Sequence, residues 1–461
     1  MKKHIHFIGI CGVAMSALAI LWKKKGWYVT GSDVGFYPPI STHLKKNKIE
    51  FYPGWHPEKI GRPDLVVVGN VAGSENPEYL YVKRNNLTYC SYPELIAKYL
   101  IKNHSIVCAG TYGKTSNTVL LSWILNQADF KPSYMFGGLS LNLTQSADDE
   151  GGDWSVVEGD EYKTGRDNPK AKFFAYRPTH LLLTAVYWDH LDVYPTEKSF
   201  FQAFQKLTKL IPDDGLIVCC NKDEKIKEFI KNTQTKTVSY GRADADYVYH
   251  DVVMDTNGLN FKITNQNQEY KITSPIIGEY MAENICGSFA LAKEIGVPVN
   301  KIITAITKFQ GIKRRLELRG EVNEAKIYDD IAHSPLKAKF ALETIKKIHS
   351  GNKIIAIFEP NTGNRQITAQ DGYDQAFTAA NEIIIPRLTQ IKKGKEKILE
   401  GSDLATIIHR THPQVKYIDD DQKLIKYLRD NVTKNGAVIF LGSHGFRGMI
   451  EELSDQTKPT N

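Results

Sequence analysis

The sequence predicts an α/β protein of three domains in series. Three observations predict it. Apolar runs of strand length alternate with amphipathic helical stretches, and the alternation restarts twice along the chain. Two of the apolar runs open into glycine-bearing turns, "FIGICGVAMS" near the start and "AGTYGKTSNT" at residues 109–118. The chain has 461 residues, more than one hydrophobic core usually serves.

The first unit begins with "HIHFIGI" as a buried strand and "VAMSALAILWKKKG" as a helix ending at Gly26. "WYVTGSD" is a second strand, and "STHLKKNKIEFY" a helix running into a third. "DLVVVGN" and "LTYCSYPELIAKYLI" continue the pattern, as a parallel sheet with helices on its faces requires. The second unit starts at "HSIVCAGTYGKTSNTVLLSWILNQA", adds strands at "WSVVEGD", "HLLLTAV" and "GLIVCC", and turns β-rich over 235–275 around the hairpin signal Asn257-Gly258. "YMAENICGSFALAKEIG" and "VNKIITAITKF" close it as helices. "GIKRRLELRGE" reads as a hinge. Strands at "AKIYDD", "KIIAIFEP", "NEIIIP", "VKYID" and "AVIFLG" follow in the third unit. The expected domain limits are 1–102, 103–310 and 311–461.

Composition narrows the function class. Hydrophobic residues make up 42% and charged residues 24%, as in an ordinary globular chain that can bury a core. The net charge of +7 is dispersed through short clusters such as "WKKKG" and "IKKIH", which fits solvated helix faces and an anionic substrate better than nucleic acid. The six cysteines form no CxxC pattern, and no run reaches the roughly 20 apolar residues of a membrane span. A cytoplasmic protein with no membrane insertion is expected.

The first turn, with Gly9, Cys11 and Gly12, partly matches a dinucleotide fingerprint, and Asp33 lies at the distance of a ribose contact. A nicotinamide dehydrogenase therefore stays open on that turn alone. The second turn points elsewhere. Gly110, Thr111 and Gly113 offer bare amides, Lys114 a charge for β and γ phosphates, and Thr115 a hydroxyl for Mg²⁺, with Ser116 beside it. The nucleotide is then ATP. Glu158 and Glu161 follow an apolar strand, and Asp189, His190 and Asp192 follow another; strand ends of this kind converge on the ligand crevice of a parallel sheet. Arg314, Arg315, Asp329, Asp330 and His333 gather charge around the hinge. On this reading the outer domains are Rossmann-like and the central one is a P-loop ATPase domain.

With these stretches in order, the chain resembles the Mur ligase superfamily over essentially its whole length. The family's GTHGKTTT appears as "GTYGKTSNT", its EADEYD as "EGDEYK", and its later motifs as "RRLELRGE" and "YDDIAHSPL". The resemblance implies an ATP- and Mg²⁺-dependent enzyme that joins the carboxylate of UDP-N-acetylmuramate to an amine through an acyl phosphate. It implies catalytic roles for Lys114, Glu158, His190, Arg314 and His333, and metal ligation by Thr115, Glu158 and His190. Nucleotide contacts would come from the phosphate loop, Asn284, Arg314 and Asp330. Gly9, Cys11, Gly12, Asp33, Ser41, Asn70 and Arg315 would serve the substrate. The amine is that of recycled L-alanyl-γ-D-glutamyl-meso-diaminopimelate, which "EPNTGN" and "GSHGF" favour, or else of L-alanine. The chain departs from the family at Tyr112, Ser116, Asn117, Ala185, Tyr187, Tyr280 and Met281, and the departures at Ala185, Tyr187 and Tyr280 leave a third alternative, a nucleotide-binding homologue that has lost catalysis. They put the adenine contacts and a second metal in question. The oligomeric state is not legible.

Overall fold

The computed structural model describes residues 2–36, 40–165, 168–188, 193–222, 224–231, 233–389 and 398–454. Among them the strands form three sheets. The first contains β1 (His4–Ile8), β2 (Tyr28–Asp33), β3 (Glu50–Pro53), β4 (Leu65–Val68) and β5 (Tyr89–Ser91). Its order is β3-β2-β1-β4-β5 and every pairing is parallel. The run "LVVV" at β4 is apolar on both faces because helices cover both, as all-parallel sheets require.

The second sheet holds β6 (His104–Ala109), β7 (Ser133–Met135), β8 (Ala147–Asp149), β9 (Trp154–Gly159), β10 (His180–Leu183), β11 (Leu216–Cys220), β12 (Lys236–Gly241), β13 (Tyr247–Asp255), β14 (Gly258–Asn265) and β15 (Gln268–Ser274). Its order is β15-β14-β13-β12-β11-β10-β6-β9-β7-β8. The central strand β6 pairs in parallel with β9 on one side and β10 on the other. Chain order therefore reverses about β6, which makes its carboxyl end the crevice where parallel sheets bind ligands. The edge strand β8 is antiparallel to β7. Its "ADD" sequence carries little strand signal. Lys24 and Lys25, at the end of the helix that follows β1, meet Asp148 and Asp149 at 2.6 and 2.5 Å. A continuous apolar cluster from Ile5 to Phe229 joins the first two sheets.

The third sheet comprises β16 (Glu317–Val322), β17 (Ala325–Asp330), β18 (Ile354–Glu359), β19 (Glu382–Pro386), β20 (Val415–Ile418) and β21 (Ala437–Gly442), ordered β16-β17-β21-β18-β19-β20. Every pairing from β17 to β20 is parallel, while the edge strand β16 is antiparallel to β17. The stretch read as a hinge is thus half strand: "ELRGEV" pairs with β17 and adds an edge to the sheet. Compact units divide at Gly311. The first sheet and, apart from Val253–Leu259 at the turn of the β13–β14 hairpin, the second belong to one unit; the third sheet belongs to the other, with Val253–Leu259 and Ile276–Glu279. Among the described residues, no helix is long and apolar enough to cross a membrane.

Candidate active site

The site is built on the loop between β6 and the helix Lys114–Gln127. Gly110 has φ +131°, and a Cβ there would stand 2.0 Å from Thr184 Oγ1. Gly113 has φ +80°, and its Cβ would meet Asn284 Oδ1 at 2.4 Å. Only glycine fits either position. Gly113 is also the residue before the helix, so no side chain caps the first-turn amides. Uncapped N–H groups at a helix start, with the helix dipole behind them, favour a phosphate.

Lys114 arches back over the loop. Its Nζ donates to the Gly110 carbonyl at 2.6 Å and pairs with Glu161 at 3.0 Å. Glu161 is almost fully buried. The neighbouring Thr115 hydroxyl donates to Glu158 Oε1 at 2.7 Å, and the Gly137 amide donates to Glu158 Oε2 at 2.7 Å. Burial raises the Glu158 carboxyl, and these two donors oppose the rise. Hydroxyl and carboxylate oxygens facing each other beside a phosphate cradle suit Mg²⁺, which takes one or two protein oxygens and draws others from phosphate and water. Thr115 and Glu158 would hold it. Among the described residues there is no cluster of three or more His, Cys, Asp or Glu that could hold a metal ion. His190, Asp189 and Asp192 lie outside the described residues.

The end of β10 closes the loop from the other side. Thr111 N donates to the Ala185 carbonyl at 2.9 Å, and its hydroxyl exchanges hydrogen bonds with the Tyr187 carbonyl and amide, both at 2.8 Å. Positions 185 and 187 therefore engage the loop through main-chain atoms, which the departures there leave intact. Asn284 buttresses Gly113: its Oδ1 accepts from Asn117 Nδ2 at 3.0 Å, and Asn117 Oδ1 accepts from Ser288 at 2.8 Å. Asn284 Nδ2 meets the Met281 sulfur at 3.5 Å. Both ends of that amide are thus taken up by protein. Ser116 is half-buried in the first helical turn, while Tyr112 and Tyr280 are exposed. The Asn117–Asn284–Ser288 chain and the Gly137 amide have no sequence signal, because each contact spans long separations.

In the first sheet, Gly9 has φ +85° and Gly12 precedes the helix Val13–Lys24. Asp33 is buried at the end of β2. Its carboxylate accepts from Cys11 N at 2.9 Å, Val34 N at 2.7 Å and Gly35 N at 3.3 Å. It organises the turn itself and is engaged by protein where a ribose contact was expected. Burial and the Asp33 charge push the Cys11 thiol up to about 12. Asn70 is exposed beyond β4, and Ser41 is buried on the helix Ile40–Lys46.

In the third-sheet unit, Arg314 has φ +60° and is anchored. Its Nε lies 3.1 Å from Asp329 Oδ1, and its terminal nitrogens donate to the carbonyls of Ser443, Gly442 and His444 at 2.9, 2.5 and 2.8 Å. Arg315 is exposed. Asp330, raised by burial, accepts the Leu316 and Ala332 amides, both at 2.8 Å. His333 Nδ1 stands 2.7 Å from the Ile331 carbonyl, which places the proton on Nδ1 and the lone pair on Nε2. Burial lowers this imidazole below its ordinary value, helped by nearby cations.

Comparison with known proteins agrees with this geometry. Family models match for the Mur ligase family catalytic domain over residues 4–104, the Mur ligase middle domain over 108–292 and the Mur ligase glutamate ligase domain over 314–444. A UDP-N-acetylmuramate–L-alanyl-γ-D-glutamyl-meso-2,6-diaminoheptandioate ligase of Haemophilus influenzae is 31% identical, covering 99% of each chain. A UDP-N-acetylmuramate–L-alanine ligase of Clostridium botulinum is 27% identical over 96% of this chain and 95% of its own. The crystal structure of a murein peptide ligase from Psychrobacter arcticus superposes with TM-score 0.70 at 26% identity, covering 99% of this chain and 100% of the other. A UDP-N-acetylmuramate-alanine ligase from Thermotoga maritima, 21% identical over 98% of each chain, shares the fold with TM-score 0.81. The chain belongs to the Mur ligase family of ATP-dependent acid–amine ligases.

Proposed function

We propose that the chain joins the carboxylate of UDP-N-acetylmuramate to the amine of L-alanyl-γ-D-glutamyl-meso-diaminopimelate, consuming ATP, as in peptidoglycan recycling. The observation that carries the ATP step is the phosphate loop, with Lys114 paired to Glu161 and Thr115 to Glu158 at the carboxyl end of β6. The full-length relative from Haemophilus influenzae supports the choice of peptide. Addition of L-alanine is the second reading, favoured by the relative from Clostridium botulinum. The domain limits we propose are 1–102 for the sugar nucleotide, 103–310 for ATP and 311–461 for the amine.

A carboxylate resists attack by an amine because oxide would have to leave. Transfer of the γ-phosphoryl group to the carboxylate oxygen gives an acyl phosphate and ADP. The amine then attacks the acyl carbon, loses a proton, and phosphate departs as the amide forms. Positioning and charge neutralisation carry most of such a reaction. Lys114 would exchange the Gly110 carbonyl for β and γ oxygens while Glu161 stays paired with it, and the uncapped helix amides would hold the rest. Mg²⁺ on Thr115 and Glu158 supplies charge neutralisation at the phosphates when bound. His333, with its lone pair on Nε2, is our candidate for taking the amine's proton.

The test is ADP release from purified protein with ATP, Mg²⁺ and UDP-N-acetylmuramate, against the tripeptide, L-alanine, L-serine and glycine. Release with the tripeptide alone is the expected result. Release with L-alanine alone moves the function to the second reading, and release with none removes both.

A further inference from the structure

Lys172 is a lysine 6% exposed, to which the chemistry above gives no part. It opens the 3₁₀ turn Lys172–Tyr176, and its Nζ pairs with Asp160. Asp160 stands between Glu158 and Glu161 in the acidic turn that leaves β9. The turn is stapled along its length. The Tyr162 amide donates to Asp160 Oδ1 at 2.9 Å, the Lys172 amide to the Tyr162 carbonyl at 3.0 Å, and the Phe173 amide to the Asp160 carbonyl at 3.4 Å. A bridge between Lys163 and Ala171 lies within it.

The same ammonium faces the first sheet. It lies 5.3 Å from the ring centroid of Tyr92, on the helix Tyr92–Tyr99, and 5.7 Å from that of Tyr162. Arg177, just past the 3₁₀ turn, donates to the Ala97 carbonyl of that helix at 3.2 Å. Lys172 therefore touches both the acidic turn and a helix of the first sheet. One residue away from Asp160, the Glu161 carboxylate pairs with Lys114, and its carbonyl accepts from the Tyr194 hydroxyl at 2.7 Å.

A buried ion pair is weak support for stability, because desolvation offsets the attraction and apolar replacements of similar volume are often neutral. Its strength is in fixing geometry. We propose that Lys172 is a positioning residue that clamps the acidic turn to the first-sheet helix and so holds Glu161 against Lys114 for phosphoryl transfer. The proposal rests on the ligase reading for its kinetic consequence, though not for its structural one.

The test uses full-length Lys172→Met and the double variant Lys172→Met/Asp160→Asn, which leaves no unpaired charge behind. Three quantities are read: thermal unfolding, hydrogen exchange at the Tyr162 and Phe173 amides, and kcat and KM for ATP in the ADP-release assay. We expect the double variant to melt near the parent, the two amides to exchange roughly tenfold faster, and kcat to fall roughly tenfold while KM for ATP shifts less than about threefold. Unchanged exchange overturns the clamp, whether or not the parent is active. A fall in kcat that only tracks the fraction unfolded reduces Lys172 to a stabilising residue and also overturns the proposal. Faster exchange in a protein whose parent releases no ADP upholds the clamp and rejects the ligase reading instead.

Discussion

Replacing Lys114 separates what the lysine does for the fold from what it does for phosphate. Its Nζ holds Glu161 at 3.0 Å, and the Glu161 side chain is 1% exposed against 14% for Lys114. Lys114→Met leaves a buried carboxylate without its cation, a loss on the order of 3–5 kcal/mol for fully buried pairs and less here because the lysine end is partly wet. Lys114→Met/Glu161→Gln removes both charges and should return to within about 1 kcal/mol of the parent by urea unfolding. Catalysis should not return with it. Loss of a preorganised donor to developing phosphate charge costs about 2.7–4 kcal/mol, or roughly 10²–10³ in kcat. The assay is ADP release under saturating substrates, beside urea unfolding of the same preparations. A double variant that is stable and retains kcat within about threefold of the parent would refute the assignment of Lys114 to the phosphates.

Gly110→Ala forces a Cβ to 2.0 Å from Thr184 Oγ1 at φ +131°, and should abolish nucleotide binding while costing roughly 1–3 kcal/mol in backbone strain alone, read by a fluorescent ATP analogue and thermal unfolding. Asp33→Ala removes the acceptor of three amides and should destabilise the protein by about 1–3 kcal/mol. A weaker affinity for the sugar nucleotide at unchanged stability would indicate a ribose contact after all. His180, at the start of β10 and packed beside Trp154 and His104, is lowered by burial and by His104 to about 4. The unfolded chain then binds the extra proton between about pH 6.5 and 4, so stability falls as pH falls through that window, by up to about 3 kcal/mol. His180→Phe should lose that slope in denaturation measured at several pH values. If His333 takes the amine's proton, the acid limb of kcat should lie below the ordinary histidine value, since burial disfavours the charged ring. His333→Gln should remove the acid limb.

Strands flanked by helices on both faces were the legible part of the fold. "LVVV", "HLLL" and "AVIFLG" are apolar on successive residues because both sides are covered, and no helix of that length competes with them. β7 and β8 escaped because each has three residues, and β8 is stabilised by lysines more than a hundred positions away. The helix Pro77–Arg84 had a local signal in Asn76 and Pro77, a cap followed by proline, but its mixed surface hides the period. The phosphate loop, Lys114, Thr115 and Glu158 were legible because loop and helix are contiguous and the acids follow a strand. Asp33 and Asn284 were placed at ligands from sequence, while in the folded chain their side chains hold backbone turns and Asn117. Lys172 gave no signal, because its surroundings are Tyr92 and Asp160, which lie far along the chain or in the acidic turn.

In the proposed reaction ATP activates the sugar-borne carboxylate. UDP-N-acetylmuramate labelled with oxygen-18 in that carboxylate, turned over with ATP and the tripeptide, reads the step directly by phosphorus-31 NMR of the released phosphate. One labelled oxygen in the phosphate is the predicted result, because the carboxylate oxygen that accepts the phosphoryl group leaves with it. Amide formation with wholly unlabelled phosphate would contradict the account.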